Sequence, residues 1–343
     1  MANKYTKFKQ HLPGLDKSNK GVTLGELLAG SLVSLVIINL GFMGFSWSRQ
    51  MYLQDQQASD VNQTLRSVFE IVGTDIKQAG EGFAEDPNFP SIVVSQDDDD
   101  NSEIRIRRSL LTSSLPVCGQ VAVGTSDAVT VVDDTGSVAG CDVIDDDNNG
   151  WPDVLETWRD YRTSNGATIR AFIYNGFGTG EFFDYNGEET FDTGNSTVTP
   201  SPGIVASASI SASGHTWQNT YEANGSSRIY LIEERRYRLN DDNELELIID
   251  DEQTSRVVGN LESFEIITHV QQDLSVNSSA TYTCTVIPPN NGDCDSNLPN
   301  PYVWSQIRFV EIKSEVSISD TPYSSSVETE KSERVFPRNI LNY

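Results

Sequence analysis

The feature that most constrains this sequence is an uncharged apolar run of 21 residues, Leu27–Trp47. An α-helix rises about 1.5 Å per residue, so a helix of this length is about 30 Å long and matches the hydrocarbon core of a bilayer. A buried core helix is the alternative, but the run is too long and too uniformly apolar to favour it. The sequence therefore predicts one membrane-spanning helix.

The charges on either side of this run predict its orientation. Residues 1–21 carry five lysines and one aspartate, whereas Asp55 and Asp60 follow the run. The positive-inside rule then puts the N-terminus in the cytoplasm and the rest of the chain outside the membrane. The whole chain has 24 basic and 50 acidic residues, a net charge of −26. Such acidity argues against a nucleic acid partner, because phosphate binding needs a basic surface.

The junction before the apolar run carries a second signal. The lysine-rich stretch ends at Gly21, Val22 follows, and Glu26 lies five residues beyond the glycine. An ordinary secretory signal has an apolar region of about 7–15 residues closed by a small-residue cleavage site, which this junction lacks. The pattern resembles the class III signal of type IV pilins, which prepilin peptidase cuts after the glycine. The resemblance implies cleavage after Gly21 and N-methylation of Val22.

Glu26 has two interpretations. A carboxylate inside a membrane helix costs a few kcal/mol unless it is paired or near the interface, so Glu26 either reaches water or meets a positive charge. The amine of Val22, freed by cleavage, is such a charge within one subunit or between subunits. The resemblance implies that Glu26 helps an incoming subunit to dock into a growing filament. The sequence departs from many major pilins by carrying Gly41 and Gly44 where they have a helix-breaking proline.

The helix is predicted to continue beyond the membrane as far as Gly80. An apolar stripe with spacings of three and four residues indicates a helix face that is covered by the chain's own sheet. The stripe consists of Val61, Leu65, Val68, Val72, Ile76 and Ala79. Gly80 fits a C-terminal glycine cap. The phrase Asp75–Gly80 resembles the end of this helix in PilW-like minor pilins.

The remaining sequence is typical of strands joined by long loops, which predicts an α+β fold: a long transmembrane helix packed on an antiparallel sheet. This is also the pilin fold that the resemblance implies. Predicted strands are Glu103–Leu110, Ala128–Val132, Thr168–Tyr174, Arg228–Leu239, Glu244–Ile249, Phe264–Val270, Tyr302–Ile318 and a closing strand Val335–Leu341. The stretch Gly194–Ser227 is predicted to be a loop or flexible insert. The predicted organisation is a leader, 1–21, an assembly helix, 22–80, and a β-rich extracytoplasmic head, 81–343, with a loop insertion at 141–160.

Four cysteines indicate an oxidising compartment. Cys118 and Cys141 are 23 residues apart, and Cys284 and Cys294 are 10 apart. Pairing of nearest neighbours gives two local loops, although the sequence leaves all three connectivities open. Zinc is the alternative, but no C-x-x-C spacing or adjacent histidine supports it.

A calcium loop is predicted within the insertion. Residues 145–156 match the template D-x-[DN]-x-[DN]-G-x₅-E, with Gly150 at the sharp turn. The predicted ligands are Asp145, Asp147, Asn149, the carbonyl of Trp151, Asp153, and Glu156 as the bidentate carboxylate. Pro152 departs from the template and no second complete loop is present. The alternative is a solvated acidic loop, which is also how we interpret Asp97–Asp100. Asp184–Gly187 with Asp192 is a poorer calcium candidate.

Three functional classes fit these features. The first is a PilW-like minor pilin that initiates a type IV pilus or lies near its tip. Its partners are other pilins, prepilin peptidase and the inner-membrane assembly platform, and it moves from the inner membrane to a surface pilus. The second is a pseudopilin of a type II secretion system, which the 322 residues left after cleavage disfavour. The third is a membrane-anchored calcium-binding adhesin or an enzyme that does not polymerise. The sequence contains no catalytic motif, and its histidines, His11, His215 and His269, are far apart, so we predict no enzyme activity.

Overall fold

The computed structural model describes residues 21–83, 89–97, 101–126, 128–136, 138–271, 281–289, 293–295, 304–318 and 327–338. The fold of these residues is α+β, with one long N-terminal apolar helix followed by antiparallel sheets. Apart from Gly21, the predicted leader lies outside the described residues, as do Asp98–Asp100, His11 and the last residues of the predicted strand Val335–Leu341.

The first helix, α1, runs from Leu24 to Gln78 and begins in a capping box. Thr23 is the residue before the helix, and Glu26 is at the third helical position, the arrangement in which the two side chains satisfy backbone N–H groups at the helix start. The described residues divide into two compact units within this helix, and the first unit ends at Gln56. All side chains from Gly21 to Tyr52 are exposed. A long apolar helix with this exposure is consistent with membrane anchoring.

In the second unit, the part of α1 from Gln57 onward lies against a sheet. The predicted stripe is confirmed, because all six of its members are at most 1 % exposed. The helix ends at Gln78, and Gly80 has a φ of +77°, which a residue with a side chain adopts only with strain. A Cβ at Gly80 would also lie 2.4 Å from the buried ring of Trp304. The glycine is therefore required both by the turn and by this close approach.

In the described residues, fifteen strands and a second helix follow α1. The strands are β1 (Ile92–Gln96), β2 (Ser102–Ser109), β3 (Leu115–Pro116), β4 (Val129–Asp133), β5 (Ile169–Tyr174), β6 (Gly180–Tyr185), β7 (Gly187–Phe191), β8 (Ser207–Ser211), β9 (Arg228–Leu239), β10 (Glu244–Ile249), β11 (Gln253–Gly259), β12 (Leu261–Gln271), β13 (Thr281–Cys284), β14 (Ile307–Ile318) and β15 (Val327–Val335). Helix α2 spans Asp153–Ser164, and a short 3₁₀ turn spans Trp304–Gln306.

The strands form three antiparallel sheets. The largest follows the order β1-β2-β9-β10-β11, with β3 and β5 also paired to β9 and β6 paired to β5. A second sheet has the order β13-β12-β14-β15, and a third the order β4-β8-β7. The two predicted strands that flank Asn240–Asn243, whose residue types favour a hairpin turn, are confirmed: β9 and β10 pair across this turn, in which Asn243 adopts a φ of +59°. Charged side chains of β9 form ion pairs with residues on other elements of the fold.

Two hydrophobic cores lie within the second unit, besides a small aromatic cluster. One fills the space between α1 and the sheets formed by β1, β2, β9, β12 and β14. The other joins α2 to strands of the first and third sheets around Trp158, Trp217, Tyr185 and Tyr221. The predicted calcium loop leads directly into α2, so it lies at the edge of this second core.

Three sequence predictions are wrong in part. Gly194–Ser227 contains β8, which pairs with both β4 and β7, and it buries Trp217 and Tyr221 completely. The last strand in the described residues is β15, Val327–Val335, so the predicted strand Val335–Leu341 begins where the observed one ends. The strand predicted from Tyr302 begins only at Ile307, because Trp304–Gln306 form the 3₁₀ turn that carries the buried Trp304.

Candidate functional sites

Glu26 at the start of α1 lies in a defined hydrogen-bonded arrangement. Its Oε2 accepts hydrogen bonds from the backbone N–H and from the hydroxyl of Thr23, both at 3.0 Å. The backbone N–H of Glu26 in turn donates to Thr23 Oγ1 at 3.3 Å. The carboxylate therefore folds back toward the N-terminal side of the helix, next to the residue that directly follows Val22.

This arrangement gives Glu26 a local role that the sequence analysis did not identify. The pattern Thr-x-x-Glu before an apolar run is a recognisable signature of a capping box, so the signal was present in the sequence. Capping and charge pairing are compatible, because a carboxylate has two oxygens and Oε2 alone serves Thr23. Gly21, Val22 and Glu26 are all exposed.

The predicted calcium loop lies between a disulfide and α2. Cys141 is bonded to Cys118, and Asp145 follows four residues later. Gly150 has a φ of +90°, and a Cβ there would lie 2.2 Å from the backbone nitrogen of Ser201. Position six of the loop therefore requires glycine for its conformation and for the close approach of another segment.

Helix α2 holds the end of the loop in place. Trp158 is fully buried in the second core, and its indole N–H donates to the carbonyl of Ser113 at 3.2 Å. Arg162 makes two hydrogen bonds of 2.7 Å to the carboxylate of Glu188 on β7. The pKa of Arg162 is raised above its ordinary value, mainly by this hydrogen bond to Glu188. Both contacts fix the helix that carries Glu156.

Three carboxylates meet inside the loop. Asp145, Asp147 and Asp153 each offer an oxygen within 4.8 Å of the others, and in the described part of the chain no other three acidic, histidine or cysteine residues do so. Their contacts are to N–H donors of the loop itself, and among the described residues no lysine or arginine forms an ion pair with any of the three. Three adjacent carboxylates without a basic partner are a suitable environment for a divalent cation.

The other two predicted ligand side chains adjoin this cluster. Asn149 Nδ2 donates to Asp147 Oδ2 at 2.8 Å and to Glu156 Oε2 at 2.9 Å. Its Oδ1 accepts from the backbone N–H of Trp151 at 2.8 Å. All five predicted side chains are thus linked through one loop, and the carbonyl of Trp151 is the sixth predicted ligand. Oxygen donors in this number suit calcium better than zinc.

The second, poorer calcium candidate, Asp184–Gly187 with Asp192, forms no comparable cluster of carboxylates in the described part of the chain. Asp184 lies on β6, opposite Arg170 on β5. Asp192 instead closes a turn, since its Oδ1 accepts from the backbone N–H groups of Gly194 at 2.8 Å and Ser196 at 3.1 Å. Each has a local structural position that needs no ion.

Glu181 is an acidic site that the sequence analysis missed. Its carboxylate accepts hydrogen bonds from the backbone N–H groups of Gln218 and Asn219, from the hydroxyl of Tyr221 at 2.9 Å, and pairs with His215 at 3.0 Å. Burial acts to raise the pKa of Glu181, but these donors together hold that pKa below its ordinary value. No local pattern predicts this site, because its donors come from a segment more than 30 residues away in the chain.

Both disulfides pair nearest neighbours. Cys118 is bonded to Cys141 and Cys284 to Cys294, which selects one of the three connectivities that the sequence left open. The first bond fixes the segment that leads into the predicted calcium loop. The second joins the end of β13 to a short following segment. Each is expected to stabilise the fold by about 3 kcal/mol, mainly through the unfolded chain.

Comparisons with known proteins do not indicate a function for this chain. No family model, curated protein or solved structure matches this chain.

Proposed function

We propose that this protein is a PilW-like minor pilin, a structural subunit of a type IV pilus whose head is stabilised by calcium. The observation that carries the proposal is the combination of Glu26 at the very start of α1 with the exposed, uncharged helix that follows it. An apolar helix of this length spans a bilayer, and the same surface packs against neighbouring helices when subunits leave the membrane.

The hydrogen bonds at the helix start support a role for Glu26 in assembly. Thr23, which directly follows Val22, holds the carboxylate at the N-terminal end of the helix, the end at which cleavage after Gly21 would free the Val22 amine. Two opposite charges within about 4–6 Å favour their charged forms, and the attraction is stronger at low dielectric than in water. Glu26 therefore neutralises the new terminus, in its own subunit or in the next one.

The calcium loop supports the second part of the proposal. Asp145, Asp147, Asn149, Asp153 and Glu156 hold the ion with the carbonyl of Trp151, and the ion's positive charge offsets the repulsion among the carboxylates. Because the loop joins the Cys118–Cys141 bond to α2, calcium stabilises the second core of an exposed head. The sequence contains no second complete loop of this kind, so we assign the loop a structural role and not that of a switch.

Two variants of Glu26 separate assembly from helix capping. Glu26→Gln keeps an oxygen that accepts the hydrogen bonds from Thr23 but loses the charge, whereas Glu26→Ala loses both. We expect both variants to be processed by prepilin peptidase and to be depleted from sheared surface filaments. If Glu26→Gln enters filaments as the wild type does, charge neutralisation by Glu26 is wrong and capping is its role.

The same preparation distinguishes a pilus subunit from a secretion pseudopilin. A pilin is recovered in surface filaments of cells that lack a type II secretion system. Loss of the protein from filaments only when secretion genes are deleted would favour the pseudopilin instead.

A further inference from the structure

Arg159 on α2 lies against the residue that closes the calcium loop. Its Nη2 is 2.9 Å from Oε1 of Glu156, and the other carboxylate oxygen, Oε2, accepts a hydrogen bond from Asn149 Nδ2 at 2.9 Å. Both oxygens of the twelfth loop residue are therefore occupied by N–H donors of the protein. These are the two oxygens that a bidentate calcium ligand has to offer.

Arg159 has a second acceptor within reach. The same Nη2 is 3.1 Å from Oδ1 of Asp160, and the guanidinium carbon lies 4.5 Å above the ring of Trp151. Its neighbour on the helix, Arg162, is instead held by two short bonds to Glu188 on another element. Among the described residues the ion pairs of Arg159 are with Glu156 and Asp160, both on its own helix. Because the guanidinium already contacts both carboxylates, it can release Glu156 and keep Asp160 without disturbing the packing of α2.

Calcium and the guanidinium compete for one carboxylate. A calcium ion needs both oxygens of Glu156, and its charge repels a guanidinium on the same group. We propose that Arg159 is a built-in competitor that contacts Glu156 in the absence of the ion, lowers the affinity of the loop for divalent cations, and releases Glu156 while remaining paired with Asp160 when the ion binds. The inference rests on the calcium loop of the proposed function and adds the residues that set its affinity.

The expected change in the Kd for calcium depends on the exposure of the Arg159–Glu156 pair. The side chains of Arg159 and Glu156 are 22 % and 28 % exposed, so their attraction is partly screened by water. Removing this competition with Arg159→Gln is expected to lower the Kd for calcium about 2- to 5-fold. Asp160→Asn removes the alternative acceptor and is expected to raise the Kd about 2-fold.

A charge control distinguishes competition at Glu156 from the effect of the protein's overall charge on calcium affinity. Arg256→Gln removes one arginine that pairs with Glu244 in the β10–β11 hairpin. This hairpin packs in the first core, whereas the loop adjoins the second, and salt screens the interaction between exposed charges on separate parts of the surface. The Kd of this variant is therefore expected to match the wild type.

The test is calorimetric titration of the full chain in detergent micelles with calcium chloride, combined with terbium luminescence excited through tryptophan. Trp151 belongs to the loop, so loss of the terbium signal in Trp151→Phe assigns the signal to this site.

Opposite shifts of the calcium Kd for Arg159→Gln and Asp160→Asn, with none for Arg256→Gln, support the proposal. Binding that is equal in Arg159→Gln and the wild type overturns the competitor while leaving the calcium loop intact. Equal tightening in Arg256→Gln also overturns the competitor. An unchanged Kd in Asp160→Asn overturns the role of Asp160 in retaining Arg159, and no binding in any variant removes the calcium loop itself.

Discussion

Tyr237 on β9 donates a buried hydrogen bond to Oδ2 of Asp75 on α1, and Arg235 binds the other oxygen at 2.8 Å. Asp75 is only 5 % exposed, so the carboxylate is almost removed from water. Burial, followed by the neighbouring Asp75 charge, raises the pKa of Tyr237 well above its ordinary value, so the phenol stays protonated and donates. The pair fixes the position of the second half of α1 on the largest sheet.

We therefore predict that Asp75→Ala lowers the free energy of unfolding by about 2–4 kcal/mol. The substitution leaves the Tyr237 hydroxyl and part of the Arg235 guanidinium without an acceptor in a buried site. Asp75→Asn is the matched control, because its amide oxygen still accepts one of the two hydrogen bonds and the loss is smaller. Urea unfolding followed by circular dichroism measures both. Equal stability of Asp75→Ala and the wild type would show that the contact does not hold the helix.

A second prediction concerns Glu181 and the pH dependence of stability. Because its pKa in the folded protein is depressed, Glu181 stabilises the fold fully above its unfolded pKa, about 4.3, and this stabilisation is lost as the pH falls through the lower folded value. Glu181→Gln is therefore expected to be less stable than the wild type at pH 7, with the gap narrowing below about pH 4. Unfolding curves at several pH values test this. A gap that stays constant down to pH 3 contradicts it.

Calcium is expected to raise the melting temperature of the full chain. At a concentration about 100-fold above Kd, binding to the folded state alone adds about 2.7 kcal/mol, which corresponds to roughly 5–10 °C for a head of this size. Asp147→Ala combined with Glu156→Ala removes two ligands and is expected to abolish the shift.

A matched control for the calcium prediction removes two carboxylates elsewhere. Asp241→Ala with Asp242→Ala changes two exposed residues of the β9–β10 turn, so it lowers the negative charge equally while leaving the loop intact. This variant is expected to keep the full shift. A shift retained by the loop variant, or lost equally in both, would mean that calcium acts elsewhere on the acidic surface.

The sequence predicted those parts of the fold that depend on local patterns. The stripe from Val61 to Ala79 has helical spacing and is buried as expected, and Asn240–Asn243 supplies residues that tolerate the turn of the β9–β10 hairpin. The cluster of Asp145, Asp147 and Asp153 was predictable for the same reason, since these residues lie within twelve positions, while calcium binding itself stays a prediction. In each case the physical constraint acts between near neighbours in the chain.

The parts that were missed depend on distant partners. Strand β8 has the sequence Ser-Ala-Ser-Ile-Ser, whose small residues carry little strand preference, and it is a strand because β4 and β7 pair with both of its edges. Strand β15 carries charges on alternate and adjacent positions, so its sequence lacks the apolar alternation that indicates a strand. Glu181 receives its donors from residues 215–221, which only the tertiary fold brings near.

We propose that the mature subunit begins at Val22 and is part of a filament. The most direct measurement is the mass of the N-terminal peptide of this protein in sheared surface filaments, from cells with and without prepilin peptidase. We expect a filament subunit that begins at Val22 with one methyl group on its amine, and no such subunit when the peptidase is missing. A surface or membrane protein that retains residues 1–21, or filaments that never contain this chain, would contradict the proposal.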